Sequence, residues 1–161
     1  MKVLELIGLP VYDIFTGKKV SKVKDVWITE QWMISHLELE SSHRFSRKLR
    51  MIAWEHISAF GEDAVMIKSR AVIEETEQVH EGARTFLIGP RHLKEIPVVT
   101  EEGNQLGSIA DVYFRPNMGN TVTGLEITDG ILSDLLEGRQ QLDWTSQMRL
   151  GDDAVVIVTT A

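Results

Sequence analysis

Short runs in which apolar and polar residues alternate dominate this 161-residue chain. A period of two puts one face of a β-strand in a core and the other in water. Val11, Val20, Val23, Val26 and Ile28 read as strand positions around a turn at Thr16-Gly17-Lys18. Ile34, Leu37 and Leu39 mark the next strand, followed by Ile52-Ala53-Trp54 and Ala64-Val65-Met66-Ile67. The second half runs in the same order. Val98-Val99 leads into a turn at Glu102-Gly103-Asn104, then come Leu106, Ile109 and Val112-Tyr113-Phe114. Val122-Thr123-Gly124-Leu125-Glu126-Ile127 alternates cleanly, and Val155-Val156-Ile157-Val158 closes the series. Runs this short, broken by glycines and acidic turns, predict several antiparallel strands in each half. One segment has a different period: Ile131-Leu132-Ser133-Asp134-Leu135-Leu136, between Asp129-Gly130 and Gly138, predicts one or two helical turns.

The two halves repeat each other. Leu9-Pro10-Val11 returns as Ile96-Pro97-Val98, Asp25-Val26-Trp27 as Asp111-Val112-Tyr113, Trp54 as Trp144, and the run from Gly61 to Ile67 as that from Gly151 to Ile157. The offsets are 87, 86, 90 and 90 positions, so small loop insertions account for the slippage. This is a tandem duplication of one module. The division it predicts is a first module over 1–72, a structured connector over 73–92 and a second module over 93–161. In the connector, Thr85-Phe86-Leu87-Ile88 reads as an extended piece packed across the junction. A sheet this short exposes its edges unless it curls, so each module is expected to be a small barrel. Gly17 and Gly103 are expected to supply turn dihedrals. Trp54 and Trp144 are expected inside, plugging the barrel ends, with the neighbouring acid pairs capping tight turns.

Composition narrows the function classes. The chain has no cysteine, which excludes disulfides, thiolate catalysis and cysteine-ligated metal. No apolar run reaches the length of a membrane-spanning helix and no signal-peptide pattern is present, so a cytoplasmic protein is expected. The net charge of −7 lies mostly in the second half, where residues 81–161 carry 6 Lys and Arg against 12 Asp and Glu. That half should not bind phosphate backbones unspecifically.

Several runs together resemble the PRC-barrel domain. In the first half they are Leu6-Ile7-Gly8-Leu9-Pro10-Val11-Tyr12-Asp13, Thr16-Gly17-Lys18-Lys19-Val20, Val23-Lys24-Asp25-Val26 and Gly61-Glu62-Asp63-Ala64-Val65. In the second half they are the run from Thr100 to Tyr113, Thr128-Asp129-Gly130 and Gly151-Asp152-Asp153-Ala154-Val155. The order is similar to that of the two-domain PRC-barrel proteins of bacteria. Ser21 departs from the pattern, standing where the second copy has Gly107. The resemblance implies an all-β fold of two small antiparallel barrels in tandem, with a short helical insertion in the second. It also implies a docking role in a larger assembly, as in the cytoplasmic part of the photosynthetic reaction centre's H subunit and the C-terminal domain of a ribosome-maturation factor. It implies no shared catalytic residues.

The residues themselves offer little chemistry. His36, His43, His56, His80 and His92 lack the spacing of a helical metal pair, although strand order could bring His36 near His56 with Glu38 or Glu55. No serine sits in a nucleophile elbow and no glycine-rich phosphate loop occurs. Glu62-Asp63 and Asp152-Asp153 are adjacent on extended backbone and so diverge rather than converge. Neither an enzyme, a metal nor a cofactor is expected.

The expected function is a non-catalytic protein-binding or adaptor module. The candidate contact surface is the basic segment with His43, Arg44, Phe45, Arg47, Lys48 and Arg50. Cations around an aromatic ring suit an acidic protein surface, and they can also stack a base and neutralise phosphates. An RNA- or ribosome-associated accessory factor using Arg44 to Arg50 is therefore the alternative, ranked below a protein partner because the chain is acidic overall. The aliphatic set Ile131, Leu132, Leu135 and Leu136 is the candidate self-association surface, and a two-fold homodimer would cover it.

Overall fold

Alternation along the first repeat buries Val11, Val23, Val26 and Ile28 on one side, and the strands that carry them form a curled sheet. The computed structural model describes residues 1–41, 47–77, 82–128 and 139–158. The first repeat supplies β1 (Pro10–Asp13), β2 (Lys19–Thr29), β3 (Ile34–Leu39), β4 (Leu49–Ala53), β5 (Ile57–Phe60) and β6 (Val65–Ile67). Two short strands follow, β7 (Glu74–Thr76) and β8 (Ala83–Thr85). The second repeat supplies β9 (Pro97–Thr100), β10 (Gln105–Phe114), β11 (Val122–Thr128), β12 (Arg139–Asp143), β13 (Met148–Leu150) and β14 (Val155–Ile157).

Strand order runs β5-β6-β1-β2-β3-β4 in one sheet and β13-β14-β9-β10-β11-β12 in the other, the same order strand for strand. The extra strands β7 and β8 pair with β4 and β2. Neighbours are antiparallel except for β1 with β6 and β9 with β14, which are parallel. Each sheet curls just over half-way round an axis, so the modules are half-barrels. Among the described residues the only helical pieces are three-residue 3-10 turns. The helical insertion expected over 131–136 lies outside the described residues.

The two half-barrels enclose one continuous core, in which Val26, Val65 and Phe86 pack in the same cluster as Val112, Phe114 and Val155, all 0% exposed. A module of this size has too little interior to bury its own apolar surface well, and sharing a core raises the buried fraction. The strands meet head to head at a Met33–Thr121 bridge. Beside it the Ile34 amide donates to the Asn120 carbonyl and the Val122 amide to the Trp32 carbonyl, both at 2.8 Å. Ile34 opens β3 and Val122 opens β11, so the repeats meet around a pseudo-two-fold within one chain.

Each repeat also lends the other a leading segment. β8 pairs with β2, with Thr85 opposite Trp27, and the Phe86 amide reaches the Val26 carbonyl. Of the extended run expected over Thr85–Ile88 only Thr85 is strand, and Phe86 just beyond it enters the shared core. In return, Lys2 bridges to Tyr113 and the Phe114 amide donates to the Met1 carbonyl.

The indoles depart from expectation. Trp54 and Trp144 are only partly buried. Trp54 lies at the seam rather than plugging a barrel end, 4.8 Å from Phe60 and edge-on to Phe114 of the second repeat at 6.1 Å. The Trp144 Nε1 is buried without a hydrogen-bond partner. The fully enclosed indole is Trp32, 2% exposed, whose Nε1 donates to the Met148 carbonyl at 3.0 Å.

The turns largely follow the sequence. Gly17 and Gly103 adopt φ of 72° and 88°, where a side chain would be strained. The Gly61 and Gly151 turns are closed by backbone bonds to Ala64 and Ala154, and the Asp152 carboxylate faces Arg91 instead of capping its turn. Ser21 sits within β2 and donates to the Glu40 carbonyl at 2.8 Å, so no glycine is needed there.

Candidate functional site

Both long strands are bulged at the same place. Register slips between Val23 and Asp25 in β2, and between Ile109 and Asp111 in β10. A bulge adds a residue and re-aims the next side chain. Here it turns an aspartate in each repeat toward the segment lent by the other. Asp25, 1% exposed, accepts from the amides of Val26, Phe86 and Leu87 at Oδ1 (2.8, 3.1 and 2.9 Å) and from Ile88 at Oδ2 (2.8 Å). Asp111, 3% exposed, accepts from the Val112 and Leu4 amides at Oδ1 (2.8 and 3.1 Å).

A second acid accompanies each aspartate. In the first repeat Trp27 Nε1 donates to Glu38 Oε1 at 2.9 Å, and Lys24 pairs with Glu38 at 3.3 Å. In the second, the Tyr113 hydroxyl donates to Glu126 Oε2 at 2.9 Å and Lys2 pairs with it at 3.0 Å. The Lys2 ammonium also lies 5.9 Å from the Tyr113 ring centre. The site is thus duplicated, as an aspartate, an aromatic donor, a glutamate and a lysine, but the lysine comes from β2 in one copy and from the chain start in the other.

The two copies differ in what covers them. Lys2 lies across the Tyr113–Glu126 face. In the first repeat, Trp27, Met51 and Ala83 form a separate apolar cluster on the sheet face opposite the main core. Beside it runs a groove of about 370 Å³, lined by Trp27, Leu49, Ala83, Ile88 and Pro90, with Lys24, Glu38 and Arg91 among its charged groups. Arg84 anchors its floor. It is 3% exposed and donates to the Arg91 carbonyl at 2.9 Å and to the Gly151 and Asp152 carbonyls of the second repeat.

Burial pushes the Asp111 carboxyl up from 3.8 to about 6, against the pull of the Leu4 and Val112 amides. The Asp25 carboxyl is raised for the same reason. A raised carboxyl binds its proton more tightly folded than unfolded. Its favourable contribution is therefore complete below about pH 4 and is lost as pH rises through about 6. Asp111→Asn keeps an Oδ1 acceptor for both amides and removes the charge. Urea titrations from pH 4 to 8 should show the wild type losing up to about 3 kcal/mol that the variant retains. An unchanged slope in the variant would assign the pH dependence elsewhere.

The residues singled out by sequence are distributed differently. Of the basic segment, His43, Arg44 and Phe45 lie outside the described residues. Arg47 and Lys48 are exposed, and Arg50 on β4 donates from Nη1 to the Glu40 carbonyl at 3.2 Å. Arg50 stands opposite Glu75 of β7, so an acidic strand runs along this basic edge. Ile131, Leu132, Leu135 and Leu136 all lie outside the described residues. His36 pairs with Ala53 across β3 and β4, whereas His56 falls in the turn after β4. Sequence reasoning treated Asp25 and Asp111 only as landmarks and overlooked their partnership with Glu38 and Glu126. The repeated Asp-Val-aromatic run was the available signal.

Among the described residues no group of three or more His, Asp or Glu could hold a metal ion. Among the same residues no helix is long and apolar enough to cross a membrane. No curated protein matches the chain. The family model for the PRC-barrel domain matches twice, over residues 1–73 and 88–161. Two matches spanning nearly the whole chain, on two sheets of identical strand order, make this a member of the PRC-barrel domain family with two copies in tandem.

Proposed function

We propose that this chain is a cytoplasmic, non-catalytic adaptor that holds a short segment of a partner protein in the groove on the outer face of its first sheet. The observation that carries the reading is the groove itself. It offers apolar walls at Trp27, Leu49 and Ile88 beside charges of both signs at Lys24, Glu38 and Arg91, the mixture that suits a peptide with one apolar anchor and polar flanks. The matching face of the second repeat is occupied by Lys2, so the duplication leaves one copy available. The division into modules over 1–72 and 93–161, with 73–92 between them, gives the connector a part in binding as well. Ala83, Ile88 and Pro90 all come from it.

Ile88 is 53% exposed, so Ile88→Glu should leave the fold intact while placing a charge in the groove. Affinity capture from native cells after nuclease treatment should retain a protein partner with the wild-type chain. The Ile88→Glu chain should hold that partner at least about tenfold more weakly, the penalty for burying an unpaired charge. Neutralising Arg44 and Arg47 should change nothing. A partner lost on nuclease treatment, with steep salt dependence, would favour the RNA- or ribosome-associated reading instead. Recovery of a second copy of this chain, lost on replacing Leu135 and Leu136 by serine, would favour the homodimer.

A further inference from the structure

The turn joining β1 to β2 has an equivalent in the turn joining β9 to β10. In the first, the Asp13 amide donates to the Lys18 carbonyl; in the second, the Thr100 amide donates to the Asn104 carbonyl. The Ile14 amide reaches the Ile67 carbonyl of β6, and the Glu101 amide reaches the Ile157 carbonyl of β14. The first turn is one residue longer, but the two hold their neighbours by equivalent bonds and differ in what they display. The first turn presents Ile14 and Phe15, 54% and 86% exposed. The second presents Glu101 and Glu102. Because the acidic turn makes both of these bonds with acids at the corresponding positions, the geometry does not call for an apolar pair at the first.

The surroundings of Ile14 and Phe15 are basic. Lys18 follows in the turn and Lys19 opens β2, and the Phe15 amide donates to the Lys68 carbonyl, beside Arg70; all four cations are exposed. Neither stretch, 14–19 or 68–71, contains an acid. The one carboxylate at the base, Asp13, is 1% exposed and turned inward onto the Thr16 and Arg70 amides. An apolar tip in a collar of lysine and arginine, on a protein of net charge −7, is a local reversal of the molecule's field.

We propose that this turn docks the chain peripherally on an anionic lipid surface, with Ile14 and Phe15 entering the headgroup–acyl boundary and Lys18, Lys19, Lys68 and Arg70 meeting the lipid phosphates. Apolar insertion and cation attraction are each weak alone and sufficient together for reversible binding. The acidic turn of the second repeat would be repelled, so the molecule can dock in one orientation only. The rest of its negative surface suppresses unspecific adsorption.

Flotation of the full chain with phosphatidylcholine–phosphatidylserine vesicles, and with phosphatidylcholine vesicles alone, tests this. Wild type should float with the anionic vesicles at low salt, much less with the neutral ones, and should be released by salt. Ile14→Ser with Phe15→Ser should weaken binding about tenfold or more without altering the circular dichroism spectrum. Lys18→Gln with Lys68→Gln should weaken it about 25-fold, from roughly fivefold per cation. Absence of wild-type flotation, equal binding to neutral vesicles, or serine variants that float like the wild type would each overturn the proposal. If a protein partner is captured through this turn and the wild type does not float, the turn is a protein-docking element and the lipid assignment is wrong.

Discussion

Trp32→Ala should destabilise the protein by about 3–5 kcal/mol, the range for removing a large buried aromatic from a core. The indole is 2% exposed, within a cluster that draws on both repeats, so little can collapse into the space it leaves. Two hydrogen bonds at this residue cross the seam. Its Nε1 donates to Met148 on β13, and its carbonyl accepts from Val122 at the start of β11. Trp32 also holds a φ of 61°, an uncommon conformation for an aromatic residue. Trp32→Phe separates the contributions. It keeps most of the apolar volume and leaves the Met148 carbonyl without its donor, at about 1–2 kcal/mol. Urea unfolding followed by circular dichroism would measure both. A cost below about 1 kcal/mol for the alanine variant would mean that the seam does not hold the halves together.

Asp25→Ala should cost about 2–4 kcal/mol, through the amides it leaves without an acceptor rather than through lost packing. The Phe86 amide retains the Val26 carbonyl, but for Leu87 and Ile88 the carboxylate is the acceptor. Asp25→Asn should not rescue the loss, in contrast to the equivalent change at Asp111. Oδ1 of Asp25 serves three amides and Oδ2 serves the fourth, so an amide NH₂ in either place faces an N–H donor. Asp111 uses one oxygen, Oδ1, for both of its bonds, so an NH₂ group in place of Oδ2 faces neither amide. Opposite responses of two equivalent residues to the same substitution would be a stringent check on the geometry. Equal tolerance of asparagine at both positions would show that the segment 86–88 does not depend on the carboxylate. Loss of the Asp25 contacts should also loosen Ile88 and Pro90, and with them the wall of the proposed peptide groove.

The duplication and the strands were legible in the residues because both are local. Period-two alternation sets Val26 and Ile28 facing inward whatever lies across the sheet, and the bulge after Val23 brings that residue to the same side. The Gly17 and Gly103 turns are likewise decided by their own dihedrals, and the repeated landmarks from Leu9 to Ile157 report the module directly. The candidate site was legible only in outline. Asp25 and Asp111 stood out as repeats, but a carboxylate's neighbours 60 or more residues away leave no mark near it in sequence. The exposure of Ile14 and Phe15 was equally hidden, since an apolar residue beside a strand reads as core until the fold shows nothing packed over it.

What the chain's sequence by itself determined is an all-β tandem with equivalent cores, because side-chain alternation and turn chemistry act over a few residues. Tertiary structure alone decided the rest. It made β6 and β14 run parallel to β1 and β9, opened each barrel to a half, and merged the two interiors around Met33 and Thr121. It placed Trp32 rather than Trp54 at the centre, and it exchanged the leading segments so that each repeat satisfies the other's buried aspartate. These outcomes depend on which surface each half-buried module finds to complete its core, and that surface is supplied by residues more than fifty positions away.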